Sequence, residues 1–190
     1  SKAIQAYYNK GSMKDLKDCV NAAIEEAVKT RKATNVNIHW SKGIPVKKFE
    51  EDYLNASEEE IAEQKKVIYI FIGEKNGQVG VDAGQTSRAL DVRINEHINN
   101  RDYLEGYPLK RKVFCGKITA GIEVDRELLE QVEGIIIQYI AQHVDEKNNY
   151  VVCNKSKTKG YQKVYIIQHI YNLDLTEELA EILPYCIYVE

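Results

Sequence analysis

Val67-Ile68-Tyr69-Ile70-Phe71-Ile72, then Glu74-Lys75-Asn76-Gly77-Gln78, then Val79-Gly80-Val81-Asp82, form the pattern around which the chain is organised. The first six residues are continuously apolar and rich in β-branched and aromatic side chains, which predicts a buried strand. Asn76-Gly77 is a hairpin signal, because the tight turn between paired strands needs positive φ. Gln78–Asp82 is therefore expected to return beside the first strand. Gly84-Gln85-Thr86-Ser87 breaks that strand and opens a helix, along which Leu90, Ile94 and Ile98 lie four apart as a core stripe.

Working outward, Lys112–Ile118 reads as a third strand. Asp125–Gln142 reads as a helix with Leu128, Leu129, Val132, Ile135, Ile136, Tyr139 and Ile140 facing inward. Upstream, residues 13–32 carry Leu16, Cys19, Val20, Ala23, Ile24 and Ala27 at helical spacing, and Thr34–Trp40 alternates as a short strand. Residues 46–55 look helical, and Ser57-Glu58-Glu59-Glu60 offers a capping box for another helix. Tyr161–Tyr171 and Thr176–Leu183 read as C-terminal helices, ended by Pro184. The expected fold class is α+β: a small three-stranded, largely antiparallel sheet flanked by helices, with helical N- and C-terminal extensions. The expected division is a mainly helical segment 1–64, a core 65–160 and a helical segment 161–190 packed on the core. Gly11-Ser12 before Met13 resembles a cloning scar, which would make residues 1–12 a tag-derived segment.

Composition bounds the function classes. Hydrophobic residues are 44% and charged residues 29% of 190, an ordinary globular balance. No apolar run approaches the roughly 20 residues of a membrane span. The start lacks a basic-then-apolar leader, so a cytoplasmic protein is expected. Net charge is −3, which disfavours indiscriminate nucleic-acid binding but leaves room for a local basic groove. The four Cys (Cys19, Cys115, Cys153, Cys186) have no zinc spacing and read as free thiols.

With these elements in place, the middle of the chain resembles the GIY-YIG nucleases. That family begins with a strand carrying Gly-Ile-Tyr and returns through a hairpin to a strand ending in Tyr-Ile-Gly. A helix with Arg, and often a His four residues on, comes next; a helix with one Glu and finally an Asn follow. Here Val67-Ile68-Tyr69 stands at the first motif, Gly84 closes the second, and Arg93 and His97 fall on the following helix. Glu133, before Ile136-Ile137, resembles the family's Glu, and Asn154 in Val-Val-Cys-Asn its Asn. The resemblance covers about residues 66–156. It departs at Val67, in place of Gly, and at Asp82-Ala83-Gly84, in place of Tyr-Ile-Gly. A phosphate hairpin of the sugar-kinase kind also resembles Val79–Thr86, but 190 residues are too few for that fold's two lobes.

The resemblance implies a metal-dependent endonuclease that hydrolyses DNA phosphodiesters, such as a restriction, phage or mobile-element enzyme. Tyr69, Arg93, His97 and Asn154 would be its catalytic residues. Tyr69 would stand by the attacking water, and Arg93 would supply positive charge and a fork suited to phosphate oxygens. Glu133 would hold one Mg²⁺ or Mn²⁺, a hard cation that keeps its waters and needs few protein ligands. Asn154 would orient the site. Asp82 is a second candidate metal ligand or base, or a helix cap. Without the family, Tyr69 would pass for a core residue, Arg93 and His97 for a solvated helix face, and Asn154 for a turn residue.

Two basic runs are candidate DNA contacts: Lys110, Arg111 and Lys112, and then Lys155, Lys157 and Lys159 beside Asn154. Tyr103 and Tyr107 interleave with the first run, where they would stack on bases or pack. A homodimer suits double-strand cleavage at a symmetric site. The competing expectation is a catalytically impaired domain that binds nucleic acid or a protein.

Overall fold

The computed structural model describes residues 13–30, 35–100, 104, 106–144, 149–154 and 163–189. Its elements run α1 (Met13–Thr30), β1 (Asn35–Trp40), β2 (Ile44–Pro45), α2 (Val46–Glu50), α3 (Ala56–Ala62), β3 (Val67–Lys75), β4 (Gln78–Thr86), α4 (Leu90–Asn100), β5 (Leu109–Ala120), α5 (Arg126–His143), β6 (Tyr150–Val152), β7 (His169–Leu173), α6 (Glu177–Ala180) and β8 (Cys186–Tyr188).

The hairpin is formed as the sequence predicts. Asn76 and Gly77 take φ of 51° and 78°, the pair of positive values that joins two strands with the right twist. Beyond the turn β3 and β4 pair from Lys75↔Gln78 to Val67↔Thr86, so β4 runs past Asp82 and ends at Thr86.

The sheet is larger than the sequence suggests. It has eight strands in the order β6-β4-β3-β5-β1-β7-β8, with β2 also on β5, rather than three. It is mixed: β1 with β7 and β4 with β6 are parallel, the other pairs antiparallel. The α+β class stands, but the small antiparallel sheet does not. β5 is long enough to pair with β3 on one side and β1 on the other, so the strand at 35–40 is built into the sheet.

The helix expected over Tyr161–Tyr171 is also absent. Residues 163–168 are irregular, His169–Leu173 is strand, and the helix expected over Thr176–Leu183 is the single turn α6; residues 161 and 162 lie outside the described residues. The reason is a buried polar position. β7 alternates in burial, with Ile170 and Asn172 inward. Asn172 accepts from Trp40 Nε1 (3.0 Å) and donates to the Pro184 carbonyl (2.8 Å), so an amide occupies a core site with its hydrogen bonds made. Its polarity hides the strand's period of two.

Two further local readings change. The helix expected over residues 46–55 stops at Glu50. The capping box lies two residues before Ser57 and Glu60: Asn55 Oδ1 accepts from Glu58 N–H, and Glu58 Oε2 from Asn55 N–H, both at 3.0 Å. α1 forms, but Val20 and Ile24 on its apolar stripe are exposed. Helical spacing announces an apolar face; it does not say what covers it.

Hydrophobic packing lies on both sides of the central strands. On one side Ile68, Ile70, Val81, Ala83 and Phe114 meet Leu128, Leu129, Val132 and Ile136 of α5. On the other, Val67, Tyr69, Phe71, Val113 and Cys115 meet Val46 of α2 and Leu90 and Ile94 of α4. The C-terminal segment is fastened to α5 by Gln131, whose amide bonds both the N–H (3.0 Å) and the C=O (2.8 Å) of Tyr165. Among the described residues, no helix is long and apolar enough to cross a membrane.

Candidate active site

Tyr69 lies at the centre of the α4 side of the sheet, and its neighbours follow from strand register. Across the hairpin it pairs with Gly84. A side chain on residue 84 would overlap the Tyr69 hydroxyl and ring, so only glycine lets the phenol lie flat across β4. On β5 the paired residue is Cys115, whose thiol burial pushes up to about 12 and so leaves unreactive.

Two residues of α4 reach down to the phenol. Arg93 Nε donates to Tyr69 Oη (3.2 Å), and Tyr69 Oη lies 2.9 Å from His97 Nε2. Arg93 and His97 are four residues apart and share one helix face, which lets both meet a single oxygen. Tyr69 and His97 are buried, at 3% and 8% exposure, whereas Arg93 is partly open. The rings of Tyr69, Phe71 and His97 pack edge-on against one another, which holds the imidazole in place.

Burial pushes the Tyr69 hydroxyl up to about 12, against the pull of the Arg93 guanidinium, so near neutral pH the phenol keeps its proton. Arg93 can only donate, so the phenol oxygen accepts from it, and the tautomer of His97 with Nε2 unprotonated would take the tyrosine proton.

Asp82 and Glu133 complete the surroundings. The negative charges of both carboxylates help raise the Tyr69 hydroxyl, so both act on the same oxygen. Asp82 is half-buried on β4; Glu133, on α5, is 7% exposed. Among the described residues no three His, Cys, Asp or Glu side chains form a closed metal cage. The donor chemistry still fits Mg²⁺ or Mn²⁺, which takes carboxylate oxygens and is often held by one or two of them with water and phosphate.

Asn154 approaches from the sheet edge. Its side chain accepts from Ala83 N–H (3.1 Å) and donates to Ala83 C=O (2.7 Å), a peptide-like pairing that continues the β6–β4 ladder beyond Cys153. Ala83 lies between Asp82 and Gly84, so this amide fixes the strand under the site and touches no reacting position.

The structure thus brings Tyr69, Arg93 and His97 into one bonded cluster, with Asp82 and Glu133 in electrostatic reach and Asn154 behind them. It takes the first basic run elsewhere. Lys112 pairs opposite Ile72, three positions and roughly 10 Å along β5 from Cys115. Lys110 pairs with Glu74 (3.0 Å) and Lys112 with Glu178 (2.7 Å), while Arg111 holds the carbonyls of Leu104 and Tyr107. The ring of Tyr107 packs over Gly80. Lys155, Lys157 and Lys159, with Tyr103, lie outside the described residues.

Sequence reasoning singled out neither Glu96 nor Arg88. Glu96 Oε2 accepts from Arg93 Nη1 (3.2 Å) and from Arg88 Nη2 (2.8 Å), and Arg88 Nη1 reaches Oε1 at 2.6 Å. The i, i+3 spacing of Arg93 and Glu96 was the available signal. No family model matches the chain, and neither a curated protein nor a solved structure matches it.

Proposed function

We propose that this chain is an endonuclease of GIY-YIG type that hydrolyses DNA phosphodiester bonds with the help of Mg²⁺ or Mn²⁺. The observation that supports it best is the Arg93–Tyr69–His97 chain of hydrogen bonds with the Asp82 and Glu133 charges beside it. These residues come from segments far apart in sequence, in the order that the resemblance implies.

The geometry suggests how a phenol with a raised pKa serves as base. Tyr69 need not ionise. Its oxygen takes a proton from the attacking water while its own proton passes to His97 Nε2, leaving tyrosine neutral and histidine charged. Histidine is suited to holding that proton near neutral pH. Arg93 keeps the phenol oxygen oriented through Nε, and as a partly exposed guanidinium it would pair with a phosphate oxygen. Glu133, with Asp82 nearby, would hold the metal, whose chemistry there is to stabilise charge on the phosphate and leaving oxygen.

One observation favours a second reading, a domain that binds DNA without cutting it. Asp82 stands where the family has Tyr, so the second phenol that the resemblance calls for is missing. Incubation with supercoiled plasmid separates the two. Metal-dependent conversion to open-circular or linear DNA supports the nuclease; bound but intact plasmid supports the binding module.

A further inference from the structure

Arg88 and Arg93 share one carboxylate. Arg88 grips Glu96 with both terminal nitrogens, at 2.6 and 2.8 Å, and Arg93 Nη1 reaches the same group at 3.2 Å. Two positive charges against one negative leave a positive surplus at the outer end of the Arg93–Tyr69–His97 chain. The burial gradient runs the same way: Arg88 is 56% exposed, Arg93 35% and His97 8%.

Arg88 is also fixed at its base. Thr86 Oγ1 accepts from the Arg88 N–H (3.1 Å) and donates to the Arg88 carbonyl (3.3 Å), which pins the backbone between β4 and α4. Neither guanidinium is used up. Arg88 spends two of its five N–H donors on Glu96, and Arg93 spends one on Glu96 and one on Tyr69. Among the described residues the remaining donors make no further bond. Two planar forks, held side by side with donors to spare, match the spacing problem of a polyanion, whose charges come in series.

We propose that Arg88 is a second phosphate-binding residue, contacting the phosphate next to the one at Arg93 on the same nucleic-acid strand, and that Glu96 is the positioning residue that sets the two guanidiniums side by side. This rests on the nuclease reading. It makes the substrate a polynucleotide, because a single phosphomonoester would occupy only the Arg93 end. It also explains how a chain of negative net charge would hold DNA at the site, since a paired cluster supplies local positive charge without an extended basic surface.

The test is the salt dependence of duplex binding and cleavage by the full chain, using a short fluorescent DNA duplex with Ca²⁺ for binding and Mg²⁺ for turnover. Removing a single ionic interaction with phosphate lowers the slope of log affinity against log salt by about 0.9. Arg88→Gln is expected to lower the slope by about that amount and to raise KM roughly tenfold, the size of one charge-assisted hydrogen bond. Arg88→Lys keeps the charge and should restore the slope. A merely structural arginine would change affinity without changing the slope. If Arg88→Gln keeps the wild-type slope, or Arg88→Lys loses it as Gln does, the inference is overturned while the nuclease reading stands. If the wild-type chain neither binds nor cuts the duplex, both fall together.

Discussion

Tyr69 and Gly84 face each other across the β3–β4 hairpin so closely that a methyl group on residue 84 would occupy the space of the tyrosine hydroxyl. Gly84 therefore has a steric reason to be there: it is the floor on which the phenol rests.

Gly84→Ala should for this reason behave as an overpacking substitution. The expected loss is about 1–3 kcal/mol of stability, with Tyr69 displaced from His97 and Arg93. Urea denaturation reads this as a lower midpoint at unchanged slope. A midpoint equal to that of the wild type would show that Tyr69 does not need this floor.

Asn154 offers a cleaner comparison, because its amide acts as both donor and acceptor toward Ala83. Asn154→Ala removes both bonds and is expected to cost about 1–3 kcal/mol. Asn154→Asp should be no better, since a carboxylate oxygen would then oppose the Ala83 carbonyl. Hydrogen exchange at the Ala83 amide should speed up in Asn154→Ala, which removes its acceptor. Exchange unchanged in Asn154→Ala would refute the pairing.

How much of this was legible in the sequence depended on where the information lay. The hairpin was, because Asn76-Gly77 encodes its turn locally and the strand before it is apolar throughout. α5 was, through its stripe; the structure adds its N-cap, Asp125, which accepts from Leu128 N–H at 2.8 Å. The breadth of the sheet was not. β1 joins β7 in parallel across more than a hundred residues, and the strand partner carries a buried Asn172 where the period of two calls for an apolar residue. The same limit applied to charge. Lys110 and Lys112 read as a basic run in sequence, but their partners Glu74 and Glu178 are remote along the chain. At the site, the spacing of Arg93 and His97 located one helix face, while the Glu96 link between Arg93 and Arg88 depended on a reach along α4 that spacing alone does not reveal.

Alkaline pH provides a test of Tyr69 burial. A free tyrosine titrates near pH 10, and here the hydroxyl is held up at about 12. The folded state thus favours the protonated form. That contribution to stability is complete below about pH 10 and disappears as the pH rises towards 12. Wild-type protein should lose more stability over this window than Tyr69→Phe, with Cys115, raised likewise by burial, common to both. Parallel curves for the two proteins would contradict the burial argument.

Asp82 should be measurable through the same phenol. Its negative charge helps raise the Tyr69 hydroxyl, so Asp82→Asn is expected to lower that pKa. Titration of ¹³C-labelled tyrosine by NMR, with Tyr69→Phe assigning the signal, reads the shift directly. An upward shift, or none, would place Asp82 outside electrostatic reach of the site.

If the Tyr69 cluster cleaves DNA with a metal held at Glu133, Glu133→Gln should disable it, because the change removes one charge and keeps the shape. Plasmid nicking should be followed across a Mg²⁺ titration for both proteins, with duplex binding measured alongside. Wild type is expected to cut only with added metal, and Glu133→Gln to bind duplex but lose at least a hundredfold in cleavage rate, about 2.7 kcal/mol of barrier. Equal cleavage by both proteins at low Mg²⁺ would contradict this expectation.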